Sequence, residues 1–452
     1  MMCTLGAFPA GNGKPVIFNH TESAYPGEVI GLQGDGFGTE VEIHFAEVKG
    51  DEKVLKPQKQ LPVLTKSANY VAAKLPSGIP VGLYAVWVTN GQQASEPVLI
   101  NLPRVMANEF DEIMPGSVFR LFGRNLQLAG KKTTVKFTDP NSGVTLGAQV
   151  SGGDAYGIIV TAPPGLLPGV HYAVCVNNEA GGKYGDHFLS EPFSVRPAGL
   201  DPFGLDVPWG ADFTFSGNVY NVMADSRLSR HARGDGRNND RAAIQEAIDK
   251  ASADGGGVVY LPEGVYKLAY SSGSGITMQS RVVLKGDGAD KTLVRYGYGE
   301  PFSTERVKAA YGWVLGYPDA RTEGMGMVWP GFITTSGLMD LSLVNVNESG
   351  NFVHTIKNMP EGGSKIMLKN CRLDLSSGWG LSMAYIDKLL MTGCEVKATA
   401  TTMRGINVPT RTWPLDFKNS TYCRISDNKV YYNVGRIGAN GSSHAIIENN
   451  TV

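Results

Sequence analysis

Four segments near the end of the chain align without a gap: IMLKNCRL (366–373), LLMTGCEV (389–396), CRISDNKV (423–430) and AIIENNTV (445–452). An earlier segment, GLMDLSLV (337–344), joins them with an offset of one residue at its end. The position two before the final apolar residue then gives the column Leu341, Cys371, Cys394, Asn428 and Asn450, with steps of 30, 23, 34 and 22 residues. Steps of that size, each carrying one period-2 strand, describe the coils of a parallel β-solenoid. Alternation sends the column inward as a stacked ladder of Cys and then Asn. Stacked amides satisfy one another from rung to rung, so Cys371 and Cys394 read as structural rather than as a metal or redox site.

A different repeat occupies the first half. YPGEVIGLQGDGFG (25–38) matches MPGSVFRLFGRNL (114–126), with Pro26 to Pro115 and Gly34 to Gly123 both 89 residues apart. YAVWVTN (84–90) matches YAVCVNN (172–178), and the segments around Glu96 and Glu191 match after a longer loop. Two related modules, 14–102 and 103–197, follow from these offsets. Each alternates apolar and polar residues over short runs bounded by Gly, Pro and Asn, the pattern of a small β-sandwich. Trp87 and Cys175 share one repeat position, which predicts a buried core site with Cys175 as an inert thiol. The P-G-x-x-φ-x-φ-x-G-x-x-φ opening resembles the immunoglobulin-like IPT/TIG modules, a resemblance that implies spacing or binding rather than catalysis.

Composition removes several function classes. Lys+Arg number 41 against 42 Asp+Glu, for a net charge of −1, so no basic excess points to nucleic acid. The 57 glycines follow no G-X-Y period and suit a turn-rich all-β chain. Cys3, Cys175, Cys371, Cys394 and Cys423 lie too far apart for a disulfide scaffold, and no CxxC is present. No apolar run reaches the ~18 residues of a membrane span. The start, MMCTLGAFPAGNGKP, lacks the basic and apolar regions of a signal peptide.

After Pro197 the pattern changes, and 197–212 reads as a linker. In GDGRNNDRAAIQEAIDKASADGGGVVYLPEGVYKL (234–268), Asn239 or Asp240 caps a helix. Its apolar face is Ala243, Ile244, Ala247 and Ile248. Gly255–Gly257 end the helix and VVYL (258–261) begins a strand. Asp235, Asp240 and Asp249 are expected to serve as turn, cap and exposed helix face. This segment resembles the opening of the pectate-lyase-like superfamily of right-handed parallel β-helices, which contains glycosidases, polysaccharide lyases and phage tailspikes. The implied fold class is all-β: two immunoglobulin-like β-sandwich modules, then a right-handed parallel β-helix over 213–452 with one N-terminal capping helix.

A second strand per coil aligns as NFVHT (351–355), WGLSM (379–383), RGINV (404–408) and RIGAN (436–440). Its outward column reads His354, Ser382, Asn407 and Ala439, and the flanking column Asn351, Trp379, Arg404 and Arg436. An insertion at 409–420 brings Arg411, Trp413 and Asp416 beside them, and another at 297–335 carries Trp313 and further aromatics. We expect a cleft floored by His354, Ser382 and Asn407, walled by these insertions, with Trp379 and Arg411 within ~15 Å. Trp379, Trp413 and Trp313 would stack on sugar rings, and Ser382, Asn407 and Arg436 would hold substrate.

Two mechanisms compete for this cleft. Hydrolysis needs two carboxyl groups, with Asp416 the best-placed first and Asp340, Asp374, Asp427 or Glu448 as options for the other. Elimination from a uronate needs a base and a cation, for which His354 with Arg404, Arg411 and Arg436 are available, or a Ca²⁺ on Asp side chains. Glycoside hydrolysis of a polysaccharide is the favoured reading; a lyase and a non-catalytic adhesin or tailspike-like protein are the alternatives. No cofactor is expected apart from Ca²⁺ in the lyase case. The chain stops in mid-rung at Val452, so it reads as a fragment or as a chain capped by a second copy. Extracellular or cell-surface action is expected.

Overall fold

The computed structural model describes residues 13–50, 59–91, 93–215, 217–269, 276–298, 327–329, 333–346, 356–358, 363–375, 381–398, 415–418, 421–431, 437–440 and 442–452. The chain divides into two compact units, Met1–Ala198 and Gly199–Val452.

The first unit is antiparallel, apart from one short parallel pairing. Strands Val16–His20, Val29–Asp35, Tyr70–Lys74 and Val63–Lys66 form one sheet, and Lys59–Leu61, Val41–Glu47, Tyr84–Asn90 and Val98–Ile100 form its partner. Alternating residues of both sheets, among them Ile30, Leu32, Ile43, Phe45, Val71, Val86 and Val88, fill the space between. In the second half, Thr145–Gly153 pairs with Thr134–Thr138 through its early residues and with Gly157–Thr161 through its later ones. That shared strand joins both faces into one 9-stranded sheet. The sheet folds around Phe119, Phe137, Tyr172 and Phe193, with ring centroids 5.2–6.4 Å apart.

Trp87 and Cys175 are buried, but not in the cores between the sheets. Val86 and Val88 face the first core, which turns Trp87 outward. It is covered by Leu99, Leu102, Ala180 and Tyr184. Cys175 lies on the outer side of its strand near Asp186, and burial pushes its thiol up to about 11. Equivalent repeat positions are thus buried for different local reasons. Between the two halves lie three buried asparagines. Asn101 bonds to both backbone groups of Ala24 and to the Gly82 carbonyl. Asn125 donates to the carbonyls of Glu22 and Leu102, and Asn178 donates to those of Asn101 and Asn125.

The repeated glycines have one physical cause. A Cβ on Gly34 would lie 1.9 Å from the Val16 carbonyl oxygen, and one on Gly123 1.9 Å from that of Arg104. Each glycine lies opposite a β-bulge, at Phe18 in one module and Met106 in the other. Gly123→Ala is expected to cost about 1–3 kcal/mol, because the obstruction is backbone. Urea denaturation would show it as a lowered midpoint, and an unchanged midpoint would refute the explanation.

In the second unit, Arg241–Ala253 is a helix that buries Ala243, Ile244, Ala247, Ile248 and Ala251. Asp240 holds the N-cap position, but its carboxylate turns back to accept the Arg233 and Gly234 amides. Gly255 and Gly256 have positive φ and end the helix. The segment expected as linker contributes packing of its own: its Phe203 and Trp209 cluster with Phe213 and Phe215 just beyond it. Lys369 also donates to the Phe203 carbonyl, at 2.8 Å.

Among the described residues, strands then wind through three parallel sheets of 8, 7 and 6 strands. The alignment of the four segments is the observed register: Ile366 pairs with Leu389, Leu389 with Cys423, and Arg424 with Ile446. Leu341, Cys371, Cys394 and Asn428 are all at most 2% exposed. Asn428 Oδ1 accepts the Cys394 amide at 2.8 Å, and Asn450 Oδ1 accepts the Asn428 amide and Nδ2 at 3.0 and 2.9 Å. The residue before each member (Asp340, Asn370, Gly393, Asp427, Asn449) has φ of 53–63°. Such a corner selects Gly, Asn and Asp, which tolerate the left-handed region.

Acid is expected to weaken the start of this unit. The Arg227 guanidinium holds Asp225 down to about 2, and the Asn238 and Arg237 amides do the same for Asp235. A depressed carboxylate stabilises the fold above its unfolded value, and that contribution disappears as pH falls from about 4 toward 2. Asp240 has the opposite sign, since burial raises it and the fold takes up its proton first. Melting temperatures of wild type and Asp225→Asn should converge as pH drops from 5 to 2.5; a constant gap would refute this.

Candidate functional site

The third parallel sheet is built of short strands: Ile276–Thr277, Met327–Trp329, Ile356–Asn358, Leu381–Ala384, Leu415–Lys418 and Ile437–Asn440. Their register runs Thr277, Val328, Lys357, Ser382, Asp416, Gly438. Parallel strands lie about 4.8 Å apart, so Ser382 and Asp416 are backbone neighbours and Lys357 stands about 10 Å from Asp416.

This register corrects the sequence alignment in two ways. Ser382 is opposite Asp416 rather than Asn407, because Leu415–Lys418 takes the rung that RGINV was expected to fill. Residues 415–418 therefore belong to the solenoid, and the expected departure of the whole 409–420 segment does not occur. RIGAN is also displaced by one, with Gly438 instead of Ala439 beside Asp416. Lys357 was missed. The signal for it was IKN against LSM and LDF, an apolar residue followed by a polar one, in a stretch too short to outweigh the longer match at His354. His354, Trp379, Arg404, Asn407, Arg411, Trp413, Arg436 and Trp313 lie outside the described residues, as does the Trp379–Arg411 separation.

The neighbouring second sheet carries a charged network on its outer side. Arg372 contacts Glu395 at 3.0 Å and Asp290 at 2.6 Å, and Lys397 contacts Glu395 at 2.7 Å. Lys397 first, and Arg372 with it, hold Glu395 below its ordinary value. Asp374, one rung from Lys397, goes the other way because burial outweighs both cations. Of the other acids weighed from the sequence, Asp340 and Asp427 stand at left-handed corners. Asp340 pairs with Lys285 at 3.1 Å. Glu448 lies 3.5 Å from Arg424.

Neither thiol chemistry nor metal binding finds support among the described residues. Burial drives the Cys371 thiol well above its ordinary value, with Cys394 beside it. No group of three or more His, Cys, Asp and Glu could hold a metal there. No helix among the described residues is long and apolar enough to cross a membrane.

Comparison with known proteins locates the similarity at the start of the helix of coils. The family model "Rhamnogalacturonase A/epimerase, pectate lyase-like" matches residues 228–305. Mannuronan C5-epimerase AlgE1 of Azotobacter vinelandii is 42% identical over 85 residues, 18% of this chain and 6% of that protein. Alginate lyase 7 of the same organism is 40% identical over 67 residues, 14% of this chain and 8% of that protein. Among solved structures, the A-module of A. vinelandii mannuronan C-5 epimerase AlgE6 is similar at 23% identity and a TM-score of 0.37, covering 51% of this chain and 55% of that one. The chain thus spans a small fraction of the curated relatives it matches. With three parallel sheets and an inward ladder the second unit is a parallel β-helix, and its opening segment is similar to the pectate lyase-like family.

Proposed function

We propose that the β-helix modifies a uronate-containing polysaccharide by removing the proton at C5, as an epimerase or a lyase. The observation that supports this reading is the third-sheet register, in which Lys357, Ser382 and Asp416 hold one backbone position on successive rungs. Hydrolysis requires two carboxyl groups flanking the glycosidic bond, and this column supplies one. Proton abstraction next to a carboxylate requires a cation to neutralise the substrate and a group to take the proton, and the column supplies both types. The short 42% match to a mannuronan C5-epimerase supports the same substrate class. His354, Arg404 and Arg411 remain candidates for base and cation, Trp379 and Trp413 for sugar stacking, and Ca²⁺ for a lyase. Polymers of this kind are met outside the cell, so we place the activity there, with the IPT/TIG-like modules as spacers or binders.

Incubation with poly-mannuronate and polygalacturonate in heavy water separates the mechanisms. Epimerisation leaves deuterium at C5 without chain cleavage. Elimination gives unsaturated, ultraviolet-absorbing ends. New reducing ends with neither signal would return the reading to glycoside hydrolysis, and no change in either polymer would favour a binding protein.

A further inference from the structure

On the outer face of the first module's sheet, two aromatic rings flank two amides. Phe18, at the β-bulge between Ile17 and Asn19, is 70% exposed, and Tyr70 is 41% exposed. Asn19 pairs with Gln33, and Gln33 pairs with Tyr70, so the strip crosses three strands and spans roughly 10 Å. Both Asn19 and Gln33 are exposed. Tyr70 has a fixed seat, because its ring lies over Gly31. A Cβ on Gly31 would come 2.7 Å from the hydroxyl and 3.1 Å from a ring carbon. One face of the tyrosine is thus held against backbone.

Folding does not require these residues, and the chain contains its own control. The second module builds the same sheet with the same bulge, yet at the matching positions it carries Met106, Ala107, Phe122 and Gly157. Ring–amide–amide–ring is therefore particular to the first module. The strip contains no group ionised at neutral pH, so it complements an uncharged polyhydroxyl chain and offers nothing to a polyuronate. Flat rings take the C–H faces of sugars, while amides both donate to and accept from hydroxyls.

We propose that Phe18, Asn19, Gln33 and Tyr70 form a docking site for a neutral polysaccharide, with each ring stacking on one pyranose and the amides bonding the hydroxyls between. This site is separate from the β-helix and stands whether or not the uronate reading holds. Its test is native affinity electrophoresis of the full chain in gels containing mixed-linkage β-glucan, xyloglucan or glucomannan, with alginate in a parallel gel. The wild type should be retarded by at least one neutral polymer. Phe18→Ala and Tyr70→Ala should each weaken that affinity by about 2- to 10-fold, and the pair should abolish it. Tyr70→Trp should keep binding, Gly31→Ala should weaken it by lifting the ring, and Lys357→Met should leave it unchanged. Melting curves of the exposed-ring variants should match wild type. Retardation by alginate alone, by no neutral polymer, or equally in the double variant would overturn the proposal, as would retardation traced to self-association.

Discussion

Lys357→Met is expected to lower turnover on the uronate polymer by about 10²- to 10⁴-fold, the span over which a positioned acid–base or charge-stabilising group contributes. The substitution keeps a side chain of comparable length and removes the charge. Without a cation at that rung, negative charge developing at C5 and on the substrate carboxylate has no compensating partner. Asp416→Asn should cause a loss of similar size. The double variant should be little worse than either single one, because groups acting in one step are not additive. Initial rates under saturating polymer decide the matter. A hydrolase using Asp416 would lose activity in Asp416→Asn but retain most of its kcat in Lys357→Met. Retention of more than a third of wild-type kcat in both variants would remove the column from the chemistry.

Asn428→Ala should destabilise the second unit by about 3–5 kcal/mol, the largest stability effect expected of a single change here. Asn428 is 1% exposed. Its Oδ1 accepts the Cys394 amide, and its Nδ2 donates to the Met391 carbonyl and to Asn450 Oδ1. Alanine leaves the first two groups buried without that partner and the third with one donor fewer, at about 1–3 kcal/mol for each group fully stranded. Deleting the apolar volume of the side chain adds little, because an amide contributes mainly through its bonds. Denaturant unfolding followed by tryptophan fluorescence would show the loss. A change below 1 kcal/mol would mean that the ladder is decoration on a fold held by its apolar columns.

The ladder was legible in the sequence because its signal is discrete. Asn428 and Asn450 recur at one alignment position, and the left-handed corner before them selects Asp340, Asn370, Gly393, Asp427 and Asn449, residue types that announce such a backbone. A second left-handed column was not legible. Thr335, Lys365, Lys388, Tyr422 and His444 share one register position in the first sheet, with φ of 49–65°. Apart from His444, none of these residue types favours that conformation, so the strain is imposed by the coil and not chosen locally. Tyr422 and His444 stack at 4.5 Å within it. The third sheet was harder still. Its strands run only two to four residues. Pattern matching over so few positions cannot separate a slipped alignment from the true register: RIGAN slipped by one residue, and a slip of three, to His354, hid Lys357.

The three asparagines between the sandwiches set how the first unit answers to load. Asn178 donates to the carbonyls of Asn101 and Asn125, whose own side chains bond the backbone of the first module, and Glu22 reaches Arg104 and Arg124 at 3.0 and 2.7 Å. A junction tied at so many buried points has no free joint. Pulled from its ends, the tandem transmits force from one sandwich to the other as a single stiff rod. A glycan held on the strip of the first module therefore keeps a fixed bearing relative to the second, and a tug on that chain arrives at residue 195 undamped.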